Sequence, residues 1–304
     1  MGKRLGAGNY QYEAVEGWPG IPIPGVASDA ATDSNDRVYI ATRTSQSFDD
    51  TSGAILVFDR DGKFLKSFGE DKLVTPHHIT ISAEDEVYHT DAADHTVRKY
   101  STNGELLQVL GTPGQSGAPG GGPFFMPTCA FRAPTSGDIF VSDGYRQNRI
   151  HRFTHEGELV ISWGKGDLSY ADENRGSKAK HGKGPGEFHC PHGIVVDNDN
   201  KVYVMDRTND RIQVFDELGE YLSEWSIPSP NAAVIDSENI MHSASGGQVY
   251  QSTLDGKNIG SWGEKGDQAW QFTGGAHGIW IDSHGDVYVA QVGAQNAINK
   301  YARV

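Results

Sequence analysis

Three histidines occupy one place in a recurring pattern: His77 stands ten residues before Val87, His192 ten before Val202, and His277 ten before Val287. Each of these valines opens a Val-Tyr run of strand character. Neutral imidazole is a ligand for Zn, Fe, Cu or Ni, and three such ligands with a vacant position make the arrangement of catalytic rather than structural zinc. An ion held this way lowers the pKa of a bound alcohol or water from about 15.7 toward about 7 and polarises a neighbouring carbonyl. The plainer alternative is turn chemistry copied by repeat drift, His following Pro at a strand entrance.

The elements that must position the trio are legible from self-similarity. The clearest copy, from 191, reads PHGIVVDNDNKVYVMDRTNDRIQVFDELGEYLSEW. Others begin at 76 (PHHITISAEDEVYHTD), 127 (PTCAFRAPTSGDIFVSD) and 276 (AHGIWIDSHGDVYVAQ), with weaker ones around 38–69 and 231–263. Each copy holds four short runs rich in Val, Ile, Tyr and Phe, divided by Asp-Asn, Asp-Gly, Asn-Gly or Glu-Gly turns, which is strand chemistry. No stretch sustains a helical period with caps. Six copies of roughly 51 residues, each a four-stranded antiparallel sheet, predict an all-β, six-bladed β-propeller forming one domain over 1–304. The last copy stops after its third strand at Tyr301–Val304, while Tyr10–Trp18 stands orphaned at the other end of the sequence. Pairing the two would close the last blade.

In such a ring alternate blades stand about 120° apart. His77, His192 and His277, on blades two, four and six, should therefore converge on the axis. The matching places in blades one, three and five hold Ser28 or a neighbour, Thr128 and Asn231, none a strong metal ligand. Of the other histidines, His78, His89 and His95 read as satisfied, partly buried side chains. His189 reads as an entry-loop residue, and His151, His155, His181, His242 and His284 as residues of outer strands or loops without an assigned role.

Composition narrows the partners. Asp and Glu number 40 against 26 Lys and Arg, for a net charge of −14, so the surface repels phosphate backbones and anionic lipid. Nucleic acid and membrane are not expected partners. No window approaches the roughly 20 apolar residues of a membrane span, and the chain reads as soluble and unprocessed. Glycine, 38 of 304 residues, implies many tight turns, and the Gly- and Pro-rich stretches 111–123 and 165–187 read as surface loops. Neither forms a phosphate-binding motif, and no serine-nucleophile elbow is present. Cys129 and Cys190 fit no metal pattern and permit at most one bridge, which points to a reducing, cytoplasmic compartment.

The three entrances PHH, PHG and AHG, the run Val141-Ser142-Asp143-Gly144-Tyr145-Arg146-Gln147-Asn148-Arg149-Ile150, and the run Met205-Asp206-Arg207-Thr208-Asn209-Asp210-Arg211-Ile212 together resemble the NHL-repeat propeller of the peptidyl-α-hydroxyglycine α-amidating lyases. The resemblance spans nearly the whole chain and is most specific over 124–225. It implies zinc held by His77, His192 and His277, a catalytic tyrosine at Tyr145, and two arginines, Arg43 and Arg207, addressing the substrate carboxylate. The repeat register independently puts Arg43 and Arg207 at one position, three residues past the VYI or VYV run. The plain readings are solvated loop charges for the arginines and a packed aromatic for Tyr145. Two departures stand out. The family carries an Asp after its third histidine that contributes to a calcium site, where this chain has Gly278, so structural calcium is not expected. A cysteine that follows the tyrosine in animal members is Arg146 here. The copper oxygenase domain of bifunctional members is also missing from this sequence.

The expected activity is a zinc-dependent carbon–nitrogen lyase acting on a small N-hydroxyalkyl amide or related hydroxy acid. Two other readings stay open: a propeller hydrolase of lactonase or esterase type using the ion to activate water, and a non-enzymatic NHL interaction scaffold.

Overall fold

The computed structural model describes residues 3–44, 53–70, 72–117, 123–164, 182–293 and 298–304. Much of the expected loops at 111–123 and 165–187, and His181, lies outside them. The alternating Val, Ile, Tyr and Phe runs form strands wherever turn residues bound them, because branched and aromatic side chains pack well on a pleated surface. The chain starts with β1 (Arg4–Ala7) and β2 (Tyr10–Ala14). Blade one follows as β3 (Val26–Thr32), β4 (Val38–Arg43), β5 (Gly53–Phe58) and β6 (Phe64–Phe68), and blade two as β7 (Pro76–Ile81), β8 (Glu86–Asp91), β9 (Thr96–Ser101) and β10 (Leu106–Leu110). Blade three comprises β11 (Cys129–Arg132), β12 (Ile139–Asp143), β13 (Arg149–Phe153) and β14 (Leu159–Trp163). Blade four comprises β15 (Pro191–Val196), β16 (Val202–Asp206), β17 (Arg211–Phe215) and β18 (Tyr221–Ser226), with a single 3-10 turn at Arg207–Asn209. Blade five is β19 (Pro230–Ile235), β20 (Ile240–Ser245), β21 (Gln248–Thr253) and β22 (Asn258–Trp262). Blade six is β23 (Gly275–Ile281), β24 (Val287–Val292) and β25 (Ile298–Arg303). The fold is a six-bladed β-propeller.

Closure of the last blade is as the orphan strand predicts. β2 lies antiparallel to β25, with Tyr12 opposite Arg303 and Ala14 opposite Tyr301. One element was not expected: β1 folds back on β2 and makes this sheet five-stranded, in the order β1-β2-β25-β24-β23.

The described residues fall into two compact units, residues 1–79 with 231–304, and residues 80–230. In the first, β3 packs on β23 and β24, and β20 on β23. Its core gathers Tyr12, Trp262, Phe272 and Tyr301 on one side of blade six, and Trp18, Ile40, Phe58 and Tyr288 on the other. In the second unit β11 packs on β8 and β15, burying Phe124, Ile139 and Phe153 in one layer and Phe140, Phe188, Val204 and Phe215 in the next.

A recurring device locks the inner hairpins of blades one, four and six. One oxygen of an aspartate accepts the turn N–H groups two and four residues on, and the other accepts the hydroxyl of the tyrosine six residues on. This holds for Asp33 with Tyr39, Asp197 with Tyr203, and Asp282 with Tyr288. It is the physical content of the Asp-to-Tyr spacing in the repeat: a short side chain satisfies turn donors that strand pairing leaves over. In blade five His242 replaces the tyrosine, its Nε2 lying 2.9 Å from Asp236. His242 is thus a buried strand residue, not the peripheral one expected from sequence.

Candidate functional site

The three inner-strand positions that open the hairpins of blades one, four and six share a distortion. Pairing slips by one residue at Ser28 in β3, at His192 in β15 and at His277 in β23. Each is the extra residue of a β-bulge, which frees its backbone from the ladder and re-aims its side chain. The residues at matching places in blades three and five act as supports. Thr128 donates to the carbonyl of Pro191 at 2.8 Å, and Asn231 to that of Ala276 at 2.8 Å. Each thereby fixes the residue immediately before a histidine.

Within the first unit His77 and His277 come together, their ring centres 4.9 Å apart. His78 joins them, 4.7 Å from His77 and 4.9 Å from His277. All three are buried, and each offers a ligand nitrogen within 4.8 Å of those of the others. The Nδ1 of His277 lies 2.7 Å from the carbonyl oxygen of Ser28. A carbonyl only accepts, so Nδ1 carries the proton and Nε2 holds the lone pair. The Nδ1 of His78 lies 2.7 Å from Asp29 Oδ2, which fixes that ring the same way. Asp29 is buried and also accepts the N–H groups of Ala30 and Ile79. It occupies the space beside Gly278, where an added Cβ would stand 1.9 Å from Asp29 Oδ1 and 2.7 Å from its Cα. Asp29 on β3 thus fills the space that a side chain at 278 would take. Sequence reasoning missed Asp29 altogether, because no spacing rule links residues 29, 78 and 278.

The donor set fits a transition metal. Buried imidazoles whose second nitrogens are tied to a carbonyl or carboxylate are the usual form of metal-binding histidine, and nitrogen ligands suit Zn, Fe, Cu or Ni rather than Ca²⁺.

Within the second unit His192, Tyr145 and Arg207 come together. Tyr145 sits in the turn after β12, its hydroxyl 3.1 Å from His192 Nε2 and its ring 5.6 Å from the His192 ring centre. Gly144 makes this approach possible, because a Cβ there would stand 2.0 Å from the carbonyl oxygen of Pro191. The Arg207 guanidinium lies over the Tyr145 ring, 5.6 Å from its centre. Burial works against its charge, but the Cys190 thiol and the Tyr145 phenol beside it outweigh that, and the guanidinium is held above its ordinary pKa. Burial pushes the Cys190 thiol up, against the pull of the Arg207 charge. Arg207 is partly covered and engaged with Tyr145 rather than a freely solvated charge.

Arg43 is the last residue of β4 and only 6% exposed. This too corrects the plain loop-charge reading. It lines a pocket of about 270 Å³ with Thr42, Thr44 and Glu70. Cys129 and Cys190 are buried free thiols. Among the described residues no helix is long and apolar enough to cross a membrane.

The NHL repeat family matches residues 188–215, which span the entrance of β15 through β17, so the six-bladed propeller carries an NHL repeat in blade four. Its relatives include human NHL repeat-containing protein 3, 35% identical over 71% of this chain and 60% of that protein. They also include peptidyl-α-hydroxyglycine α-amidating lyase 1 of Drosophila melanogaster, 31% identical over 51% of this chain and 27% of that protein. The chain thus spans less than two thirds of the relatives it matches. Among solved structures, a gluconolactonase from Xanthomonas campestris shares the fold with a TM-score of 0.65 at 11% identity, covering 99% of this chain and 95% of that one.

Proposed function

We propose that this propeller is a metal-dependent carbon–nitrogen lyase that cleaves a small N-hydroxyalkyl amide bearing a carboxylate. His77, His192 and His277 hold the ion, with zinc the expected metal. The repeat register sets these three at equivalent positions, and the burial of His77 beside His277, whose ring the Ser28 carbonyl orients, supports the reading. When bound, the ion supplies Lewis acidity toward the substrate hydroxyl and carboxyl oxygens.

Tyr145 is the base. Its hydroxyl lies 3.1 Å from the nitrogen of a proposed ligand, which is hydrogen-bond reach of a hydroxyl bound in front of that ligand. As the phenolate it takes the O–H proton. The oxygen's electron pair forms a carbonyl, the C–N bond breaks with its pair going to nitrogen, and the Tyr145 hydroxyl returns the proton to that nitrogen, giving an amide and an aldehyde or α-keto acid. No atom is lost and no external nucleophile enters. Arg207, kept charged beside Tyr145, binds the substrate carboxylate, and Arg43 provides a second cation for the same anion. The similarity to a named α-amidating lyase favours this chemistry over ester or lactone hydrolysis.

The observation that carries the proposal is the position of Tyr145, its hydroxyl 3.1 Å from His192 Nε2 and its ring beneath the Arg207 guanidinium, which suits a base set beside a ligand and an anion clamp. The direct test is to incubate the metal-loaded protein with an N-acyl-α-hydroxyglycine and follow glyoxylate release. Stoichiometric amide and glyoxylate support the reading, whereas an inert protein, or one that turns over only lactones and esters, refutes it.

A further inference from the structure

We infer that His78 is a ligand of the same ion, held in the ligating orientation by Asp29; this rests on the metal-site reading above. Sequence treats His78 as a satisfied buried histidine, and Asp29 does satisfy one of its nitrogens. The arrangement goes further than satisfaction. With Nδ1 held as a donor to the carboxylate at 2.7 Å, the lone pair resides on Nε2, and a carboxylate partner raises the basicity of that nitrogen. Imidazoles bound through nitrogen to one ion at about 2 Å place their ring centres about 5 Å apart. The three pairs formed by His77, His78 and His277 measure 4.7, 4.9 and 4.9 Å.

The surroundings are built for this. Asp29 is locked by the N–H groups of Ala30 and Ile79, and the residue before it, Ser28, supplies the carbonyl that orients His277. One bulged strand, β3, therefore orients two imidazoles at once. Gly278 leaves the volume that Asp29 fills. His78 thus adds an imidazole to the set given by the repeat register, and four imidazoles with one substrate oxygen would make a five-coordinate ion, a number that zinc reaches in catalytic sites.

The test uses the full chain, stripped with chelator and reloaded with Zn²⁺ or Co²⁺. Affinity is measured by competition with a chromophoric chelator, imidazole number by X-ray absorption, and folding by thermal unfolding of the metal-free protein. His78→Gln should remove one imidazole from the coordination shell and weaken binding at least tenfold. Asp29→Asn should keep the imidazole number and weaken binding by about 10- to 100-fold, the usual effect of losing a partner behind a ligating histidine. His77→Gln is the control for the site itself. If His77→Gln weakens binding while His78→Gln leaves both imidazole number and affinity unchanged, His78 is only a structural tie to Asp29 and the inference is wrong. If neither substitution alters binding, or the unsubstituted chain takes up no ion, the metal-site reading falls as well.

Discussion

The phenol oxygen of Tyr145 and Nε2 of His192 lie 3.1 Å apart, joining a turn of blade three to the entrance of blade four. Removing that oxygen alone, as Tyr145→Phe, should lower kcat on an N-acyl-α-hydroxyglycine by about 100-fold or more, the range for loss of a positioned base. Metal content should not change. Elemental analysis alongside steady-state kinetics checks both, and unchanged kcat would remove Tyr145 from the chemistry.

Gly144 sets the path of the Tyr145 turn. A Cβ at 144 would meet the Pro191 carbonyl at 2.0 Å, so Gly144→Ala must push the turn away from β15. A displacement of that size next to the chemistry costs on the order of 100-fold in rate. The expected result is a fall in kcat approaching that of Tyr145→Phe, with a lower melting temperature from the strained contact.

Why some of this was legible and some not follows from the physics of repeats. Turn aspartates and strand tyrosines recur because several blades solve the same hydrogen-bonding problem in the same way, so the fold, and the pairing of the Tyr10–Trp18 segment with the last blade, could be read from the repeat. His77 and His277 were legible because they break a repeat in register. Asp29 and His78 were not: they meet across two blades and 49 positions, and a pair unique to one junction leaves no periodic trace. Strand β1 was missed because Gly6 and Gly8 read as turn residues. The burial of Arg43 was missed because its position, three past the VYI run, lies in a turn in blade four but within the strand in blade one.

Arg207 stays charged throughout the accessible pH range, since its neighbours hold it above an already high value. Arg207→Lys keeps the charge but loses the planar fork that matches a carboxylate. KM should rise about tenfold or more, as for loss of one charged hydrogen bond, with a smaller change in kcat. Titrating substrates with and without the carboxylate checks it: a carboxamide analogue should lose little further affinity in the variant.

Asp236 gives a stability handle away from the site. Burial would raise its carboxyl, but the hydrogen bond to His242 and the turn N–H groups of Ile240 and Glu238 win and hold it below the ordinary value. A group depressed in the folded state contributes stability that is present above its unfolded pKa of about 3.9 and lost as pH falls through the folded value. Asp236→Asn should therefore destabilise the protein by about 1–3 kcal/mol at pH 7, through a weakened partner for buried His242. The difference from the parent protein should shrink below pH 4. Denaturant unfolding at pH 7 and pH 3 measures this, and a difference independent of pH would contradict the assignment.

The most direct test of the whole account is metal stoichiometry measured together with turnover in three single variants, His77→Gln, His192→Gln and His277→Gln. The account predicts one chelator-removable transition-metal ion per chain in the parent protein, and loss of both tight metal binding and amide release in each variant. Full metal content with undiminished turnover in any one of them would contradict it.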